Sequence, residues 1–378
     1  MHALLGLRQT AYRGCSGSGL MKKVLKIVGI VIAVLVVVAA AYLGFMTVME
    51  YNPAETEDAE LHDAGAAQVV ADAAVSEGAT LTFLSWNVGY CGLGAESDFV
   101  MDGGTSNGKP ATEELANSYL QGVSSVLERE DADVMLLQEV DRDSDRSYNV
   151  DEATTFAQVT AASWSYASNY RCVFVPYPWP PLGKVESGLQ TLSCVGDITD
   201  ATRFGFESSY SWPVRTANLK RCITVNHVDL GEGKTLSVIN LHLEAYSSDE
   251  ARVRQISKLN EVMEEEYAKG YYVVAGGDFN QNMPSTEDTY PVVDGSTWEP
   301  GHFDESDLPE GFTCVYDTST PTCRLLNQPY DPDSSKTQYY VLDAFIVSPN
   351  VTVESVETLD EGFAYSDHNP VRLVASFN

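Results

Sequence analysis

From residue 80 onward, apolar and polar positions switch repeatedly between strand-like and helix-like spacing. Leu81-Thr82-Phe83-Leu84-Ser85-Trp86 and Asp133-Val134-Met135-Leu136-Leu137 read as buried strands. Between them, Leu115, Tyr119, Val123, Val126 and Leu127 recur at helical spacing and predict a helix over 112–129. Segments 171–175, 188–195, 222–228 and 236–243 are rich in β-branched residues and predict further strands. An amphipathic helix is expected over 248–268, with Val253, Ile256, Met263 and Tyr267 on its apolar face, followed by strands at 271–275, 341–347 and 371–377. The tract Pro176-Tyr177-Pro178-Trp179-Pro180-Pro181-Leu182-Gly183 breaks any strand and predicts a loop, either a rigid connection or a lip facing substrate or membrane. The order of elements points to an α/β fold of two β-rich sheets with helices outside, in one domain over 79–378.

A different pattern precedes that domain. Residues 27–48 are uncharged and long enough to span a bilayer as a helix. Lys22, Lys23 and Lys26 precede this run and acids follow it, which by the positive-inside rule leaves the bulk of the chain outside the membrane. The expected organisation is a basic leader over 1–23, an anchor helix over 24–48, an acidic Ala-rich tether over 49–78 and then the folded domain. A cleaved signal peptide is the alternative, with Ala39-Ala40-Ala41 offering small residues, although the apolar run exceeds the usual length of a signal core. Met21-Lys22-Lys23 also offers a second start, which would leave 1–20 untranslated.

Charge changes the picture of partners. The 378 residues carry a formal charge of −31, and beyond residue 50 the balance is 18 bases against 53 acids, or −35. Such a surface repels polyanions at long range and lacks the basic stripe that nonspecific nucleic-acid binding needs. Outside the leader stand Cys91, Cys172, Cys194, Cys222, Cys314 and Cys323, an even number that permits disulfides, with Cys314 and Cys323 able to close a short loop. No C-x-x-C spacing supports zinc.

The candidate chemistry lies at strand ends. Asn87 follows Trp86, Gln138-Glu139 follows Leu137, His242 follows Asn240-Leu241, and Asp343 follows Leu342. Gly277-Asp278-Phe279-Asn280 ends another strand, and Ser366-Asp367-His368-Asn369-Pro370 opens the last one. Carboxylate and amide oxygens of this kind suit Mg²⁺, Mn²⁺ or Ca²⁺, and two histidines add donors for phosphate oxygens or a leaving group. Taken singly, each has a structural explanation: an Asx turn, a helix cap or a satisfied core histidine.

Together they resemble the endonuclease/exonuclease/phosphatase family, which includes DNase I, neutral sphingomyelinases and inositol-polyphosphate 5-phosphatases. The matching pieces fall in family order: Trp86-Asn87-Val88, Leu137-Gln138-Glu139-Val140, Ser187-Gly188-Leu189-Gln190-Thr191-Leu192-Ser193, Asn240-Leu241-His242-Leu243, Gly277-Asp278-Phe279-Asn280, Leu342-Asp343-Ala344-Phe345 and Ser366-Asp367-His368-Asn369-Pro370. The resemblance implies a four-layer α/β/β/α sandwich with two mixed sheets face to face. It also implies a Mg²⁺-dependent phosphoesterase, with Mn²⁺ or Ca²⁺ as alternatives, in which Glu139 ligates the metal while Asn87 and Asp367 help hold it. Asp278 would orient or deprotonate the attacking water, or bind a second metal, and Asn280 would position water or phosphate. His368, oriented by Asp343, would contact the phosphoryl oxygens, and His242 would donate to the phosphate or protonate the leaving oxygen. Lys184, Arg203, Arg215, Lys220, Arg221 and Arg252 are bases available to a substrate anion, and Arg203 and Arg252 are the expected substrate contacts. The substrate is a lipid head group or nucleic acid, with the acidic surface and the anchor favouring the lipid; no obligate protein partner is evident. The competing class is a binding module that kept the fold and lost its chemistry, against which every expected site residue is present.

Overall fold

The computed structural model describes residues 17–63, 80–246, 248–295 and 298–377. They form two units, Met1–Met49 and Glu50–Asn378. The first contains helix α1 (Gly17–Val48), whose segment Gly19–Val48 is long and apolar enough to cross a membrane, a test that signal sequences also pass. Residues 17–23 of the expected leader thus belong to this helix. The rest of the leader, residues 64–78 at the end of the expected tether and residue 79 lie outside the described residues.

In the second unit the strands run in chain order as β1 (Thr56–Asp58), β2 (Glu60–His62), β3 (Thr80–Asn87), β4 (Val134–Asp141), β5 (Ser163–Val175), β6 (Gly183–Ser193), β7 (Ile198–Gly205), β8 (Cys222–Asp229), β9 (Thr235–His242) and β10 (Tyr272–Asp278). They continue as β11 (Gln281–Asn282), β12 (Gly301–His302), β13 (Thr313–Val315), β14 (Cys323–Arg324), β15 (Tyr339–Tyr340), β16 (Asp343–Val347), β17 (Val351–Thr358) and β18 (Val371–Phe377). Helices α2 (Glu113–Glu130), α3 (Glu152–Thr160) and α4 (Asp249–Ala268) interrupt them.

Two seven-stranded mixed sheets result, ordered β1-β7-β8-β9-β10-β16-β13 and β17-β18-β3-β4-β6-β5-β2. Their inner faces share one apolar core, in which Phe83, Val134 and Leu136 of one sheet pack with Val238, Val274 and Phe345 of the other. The outer face of the β3–β4 sheet buries Leu84, Met135 and Leu137 against Tyr119, Val123 and Val126 of α2 and Phe156 of α3. The opposite outer face buries Ile239 and Val273 against Ile256, Leu259 and Met263 of α4. These three cores make the four layers expected. Helix α2 begins where expected because the Thr112 side chain accepts a hydrogen bond from Leu115 N, and Glu113 and Glu114 favour the positive end of the helix dipole. The face assigned to α4 needs one correction: Val253 is 61 % exposed, and Leu259 and Val262 take its place in the core.

Polar groups cross between the sheets just below the strand ends. Gln138 Nε2 donates to Asn240 Oδ1 at 2.9 Å, and Asn240 Nδ2 donates to the Gln190 and Leu137 carbonyls at 2.9 and 3.2 Å. Asn226 Nδ2 donates to Thr191 Oγ1 at 3.1 Å. Buried amides pay a desolvation cost unless paired, so these bonds fix the register of one sheet against the other.

The acidic segment expected as a tether does not begin as one. Thr56–Asp58 pairs antiparallel with β7, and Glu60–His62 pairs antiparallel with β5, so one short stretch closes an edge of each sheet. Short, charged strands are well suited to an exposed edge. Glu50 just before them bonds Lys220 Nζ at 2.8 Å and Arg215 Nε at 3.2 Å, and Tyr51 OH donates to the Ser168 carbonyl. The disulfide expectation also fails: all six cysteines are free thiols, five of them buried. Cys314 lies in the core beneath α4 and Cys323 in a separate cluster with Tyr340, so the loop between them is not closed. A fragment starting at residue 75 is therefore expected to melt at least about 5 °C below one starting at residue 50, because it loses two edge strands and strands Arg215 and Lys220 without their carboxylate. Equal melting temperatures by circular dichroism would show that residues 50–63 contribute nothing to the domain.

Candidate active site

Strand register brings the predicted residues together. Asp278, at the end of β10, lies opposite His242 of β9 on one side and Asp343 of β16 on the other. This close approach requires glycine one residue earlier: at Gly277 φ is +149°, and a Cβ would lie 2.0 Å from the Leu241 carbonyl oxygen. On the other sheet Asn87 pairs with Gln138. The β4–β6 register then shifts between Leu137 and Val140, and Glu139 in this bulge adopts φ +55°. The bulge re-aims the Glu139 carboxylate toward the sheet end, and a non-glycine residue held at positive φ there is backbone strain of the kind found at functional sites. Asn280 is held similarly, at φ +52°.

Asp278 is the hub. Its Oδ2 accepts from Asn87 Nδ2 at 3.0 Å and lies 3.4 Å from His242 Nε2 and 3.8 Å from His368 Nε2. Its Oδ1 accepts from the Asn280 backbone N–H at 2.8 Å, and Asn280 Nδ2 donates to the Leu243 carbonyl at 3.0 Å. Asn87 Nδ2 also approaches Glu139 Oε1 at 3.4 Å, while the Gly89 N–H at 3.0 Å holds Asn87 Oδ1. Asp343 Oδ2 bonds His368 Nδ1 at 2.8 Å, so the imidazole presents Nε2 to Asp278. The segment 366–368 is tied in from behind: Ser366 Oγ donates to the Asn87 carbonyl at 2.7 Å, and Trp86 Nε1 donates to the His368 carbonyl at 2.8 Å.

Charges in this cluster pull in opposite directions. Burial, with the neighbouring Asp343, raises the Asp278 carboxyl to about 6 against the opposing pull of His368. Burial, with Glu139 nearby, raises Asp367 to about 7. His368 is also buried, which works against its charge, yet Cys323, Asp343 and Asp278 around it hold the imidazole protonated well above the usual range. His242 goes the other way: burial and the positive charges of Arg221 and His368 keep it neutral. Its contacts of 3.4 and 3.8 Å with Asp278 and Glu139 are too long to be charged hydrogen bonds. Two histidines in one site are thus pushed in opposite directions.

Other expected residues lie elsewhere. Arg203 is 2 % exposed, and its guanidinium donates to the carbonyls of Ser168, Ala54 and Lys220 at 3.2, 3.3 and 2.8 Å. It braces β7 against β5 and the residue-54 turn and is not available to substrate, a placement that correct sequence spacing alone cannot distinguish. Arg252 Nη2 reaches the Ala245 carbonyl at 3.4 Å, which holds it beside the loop that follows His242. Lys184 pairs with Asp143. Sequence reasoning missed Cys323, which bridges to His368 in an isolated β-bridge, and Tyr246, whose hydroxyl donates to Asp102 Oδ1 at 3.0 Å across the site rim. The Tyr246 ring leans on Trp298 with centroids 5.8 Å apart. The Pro/Trp tract is a loop at the β5–β6 turn, on the same sheet end as Glu139, with Trp179 83 % exposed.

The family model of the Endonuclease/Exonuclease/phosphatase family matches residues 84–368. The chain belongs to that family. Members of the family are generally phosphoester hydrolases that use a divalent metal. No curated protein sequence matches the chain. Among solved structures, it is similar to an endonuclease/exonuclease/phosphatase from Beutenbergia cavernae, at 15 % identity and a TM-score of 0.55, covering 79 % of this chain and 72 % of the other. It is also similar to a family protein from Bacteroides thetaiotaomicron, at 18 % identity and a TM-score of 0.50, covering 80 % of this chain and all of the other. At such identities these likenesses establish the DNase I-like fold alone.

The donor set fits a divalent cation of this family. Glu139 comes from β4, Asp278 from the end of β10 and Asp367 from the segment before β18, and the carboxyls of Asp278 and Asp367 are pushed up chiefly by burial, to which Asp343 adds for the first and Glu139 for the second. Asp278, Asp343 and His368 also offer ligand atoms within 4.8 Å of one another. That second grouping is poorer, since the protonated His368 is already committed to Asp343 at 2.8 Å. A carboxyl whose folded-state pKa is raised above its ordinary value near 3.8 costs stability once it ionises, as pH rises toward about 6 and about 7 for these two. Bound cation offsets that cost, and protons compete with it below those values. The rise in melting temperature on adding Mg²⁺ is therefore expected to be larger at about pH 8 than at about pH 5.5. An equal or larger rise at the lower pH would contradict this assignment of the carboxyls.

Proposed function

We propose that this protein is a divalent-metal-dependent phosphoesterase that hydrolyses phosphodiester bonds, and that it acts outside the membrane to which α1 anchors it. The observation that carries the reading is Asp278, a buried carboxylate held at 3.0–3.8 Å from Asn87, His242 and His368 with its second oxygen fixed by the Asn280 N–H. In this reading Glu139 and Asp367, with Asn87 beside them, hold the cation, for which Mg²⁺ is the first candidate. When bound, the cation neutralises phosphate charge and acts as a Lewis acid.

The remaining steps belong to the chain. Water is a weak nucleophile toward an anionic phosphoester, so a positioned base with a pKa near neutrality is the efficient choice. Asp278 near 6 meets that condition, and Asn280 orients its carboxylate and the water. His368, kept protonated by Asp343, donates Nε2–H to the phosphoryl oxygens as negative charge builds there. His242, neutral in the resting site, donates a hydrogen bond to a non-bridging or leaving oxygen. Its other nitrogen, Nδ1, has no partner among the described residues.

Lys22, Lys23 and Lys26 in the first part of α1 and the acids that follow it support an outward-facing domain by the positive-inside rule. The formal charge of −31 disfavours duplex nucleic acid, so a small or lipid-borne phosphoester is the better substrate. A non-catalytic module is disfavoured by the survival of the complete hydrogen-bonded cluster. Bis(p-nitrophenyl) phosphate is expected to be hydrolysed with Mg²⁺ or Mn²⁺ and to be spared in EDTA. Asp278→Ala and His368→Ala should each lower kcat by about 10³-fold or more while leaving the far-ultraviolet circular dichroism unchanged. Near-wild-type rates in either folded variant would remove that residue from the mechanism.

A further inference from the structure

Arg221 is a buried base, 7 % exposed, whose Nε and Nη1 find no hydrogen-bond partner among the described residues. Its neighbours are treated differently. Arg215 and Lys220 both reach Glu50 Oε1, at 3.2 and 2.8 Å. Arg203 is more deeply buried still, but carbonyls take its N–H groups, and the buried Arg146 lies on Asp141 at 2.8 Å.

The position of Arg221 ties it to the site. It precedes Cys222, at the end of β8 where Ile223 pairs with Leu241, next to the His242 end of β9. Its charge acts on His242, Tyr246 and Tyr210, which agrees with a place on the β8 end beside His242. A guanidinium taken out of water without an anion is costly, and that cost is relieved when an oxyanion arrives. Its planar fork suits two oxygens of one phosphate or carboxylate. Burial also leaves it less screened by salt than any surface base.

We propose that Arg221 forms an anion subsite beside His242 that takes a second phosphoryl or carboxyl group of the substrate. The role toward substrate rests on the phosphoesterase reading above; the binding of an oxyanion does not. The subsite narrows the substrate class to phosphoesters that carry a further anionic group, such as a phosphorylated inositol or a nucleotide bearing an additional phosphate. Zwitterionic choline esters leave the guanidinium unpaired and are disfavoured.

Inorganic phosphate, titrated calorimetrically into the full chain in detergent micelles with EDTA present, reads the subsite without turnover. Wild type is expected to bind phosphate, Arg221→Met to bind it at least about tenfold more weakly, and Arg221→Lys to fall between. His242 and His368 are intact in all three, so equal affinity across them overturns the subsite. Should Arg221→Met fail to fold, wild type against Arg221→Lys decides the same question. Kinetics then identifies the source of the anion. Two substrate pairs serve: thymidine p-nitrophenyl phosphate with and without a further phosphate on the sugar, and short-chain phosphatidylinositol with and without further phosphates on the ring. In one pair the more phosphorylated member is expected to show the lower KM, and Arg221→Met to shrink that advantage about tenfold. The pair that does so identifies a nucleotide or a lipid head group. A KM ratio unchanged by the substitution in both pairs overturns the proposal. Absence of turnover on every substrate counts against the phosphoesterase reading, and the titration alone then judges Arg221.

Discussion

The gathering of carboxylates at the meeting edge of two sheets is the constraint on which the rest of the structure depends. Glu139, Asp278, Asp343 and Asp367 arrive from four different segments, and like charges held out of water repel one another. The raised values at Asp278 and Asp367 record first their burial and then that repulsion, from Asp343 on the one and Glu139 on the other. Part of it is offset within the chain by the protonated His368, which lies between Asp343 and Asp278. What remains is a site that favours a cation, and protons when no cation is available.

Holding such a cluster together falls to the framework. The sheets are clamped by apolar packing between them and by the amide bonds of Gln138, Asn240, Asn226 and Thr191 just below the site. Gly277 lets β10 and β9 approach closely enough for Asp278 to stand beside His242, and the β4 bulge turns Glu139 toward the same point. Trp86 and Ser366 secure the segment that carries Asp367 and His368. A site made of strand ends from two sheets is precise because each end is fixed by a ladder of hydrogen bonds behind it.

Much of this was legible in the sequence because buried strands announce themselves by apolar runs and their ends by the polar residue that follows. Asn87, Glu139, His242 and Asp278 stood at such ends, Asp343 and His368 at the head of strands, and the structure brings all six together. Strands β1 and β2 were hidden, since they are three residues each, almost wholly exposed, and held by backbone pairing that acidic side chains do not reveal. Strands β7 and β17 were hidden for a related reason: much of each faces solvent, so their apolar alternation is weak. The arginines were the least legible group. Arg203 and Arg221 look alike in sequence, and only the structure shows that carbonyls surround one and that the other has no acceptor at Nε or Nη1.

Two oxygen-rich groupings lie a few ångströms apart in this site, one around Glu139 and one formed by Asp278, Asp343 and His368. Anomalous scattering from Mn²⁺ soaked into crystals would locate the ion between them directly. The account predicts a peak bound to the Glu139 carboxylate, beside Asn87 and Asp367, with the Asp343–His368 hydrogen bond intact. A peak on Asp343 and His368, with Glu139 unengaged, would contradict it.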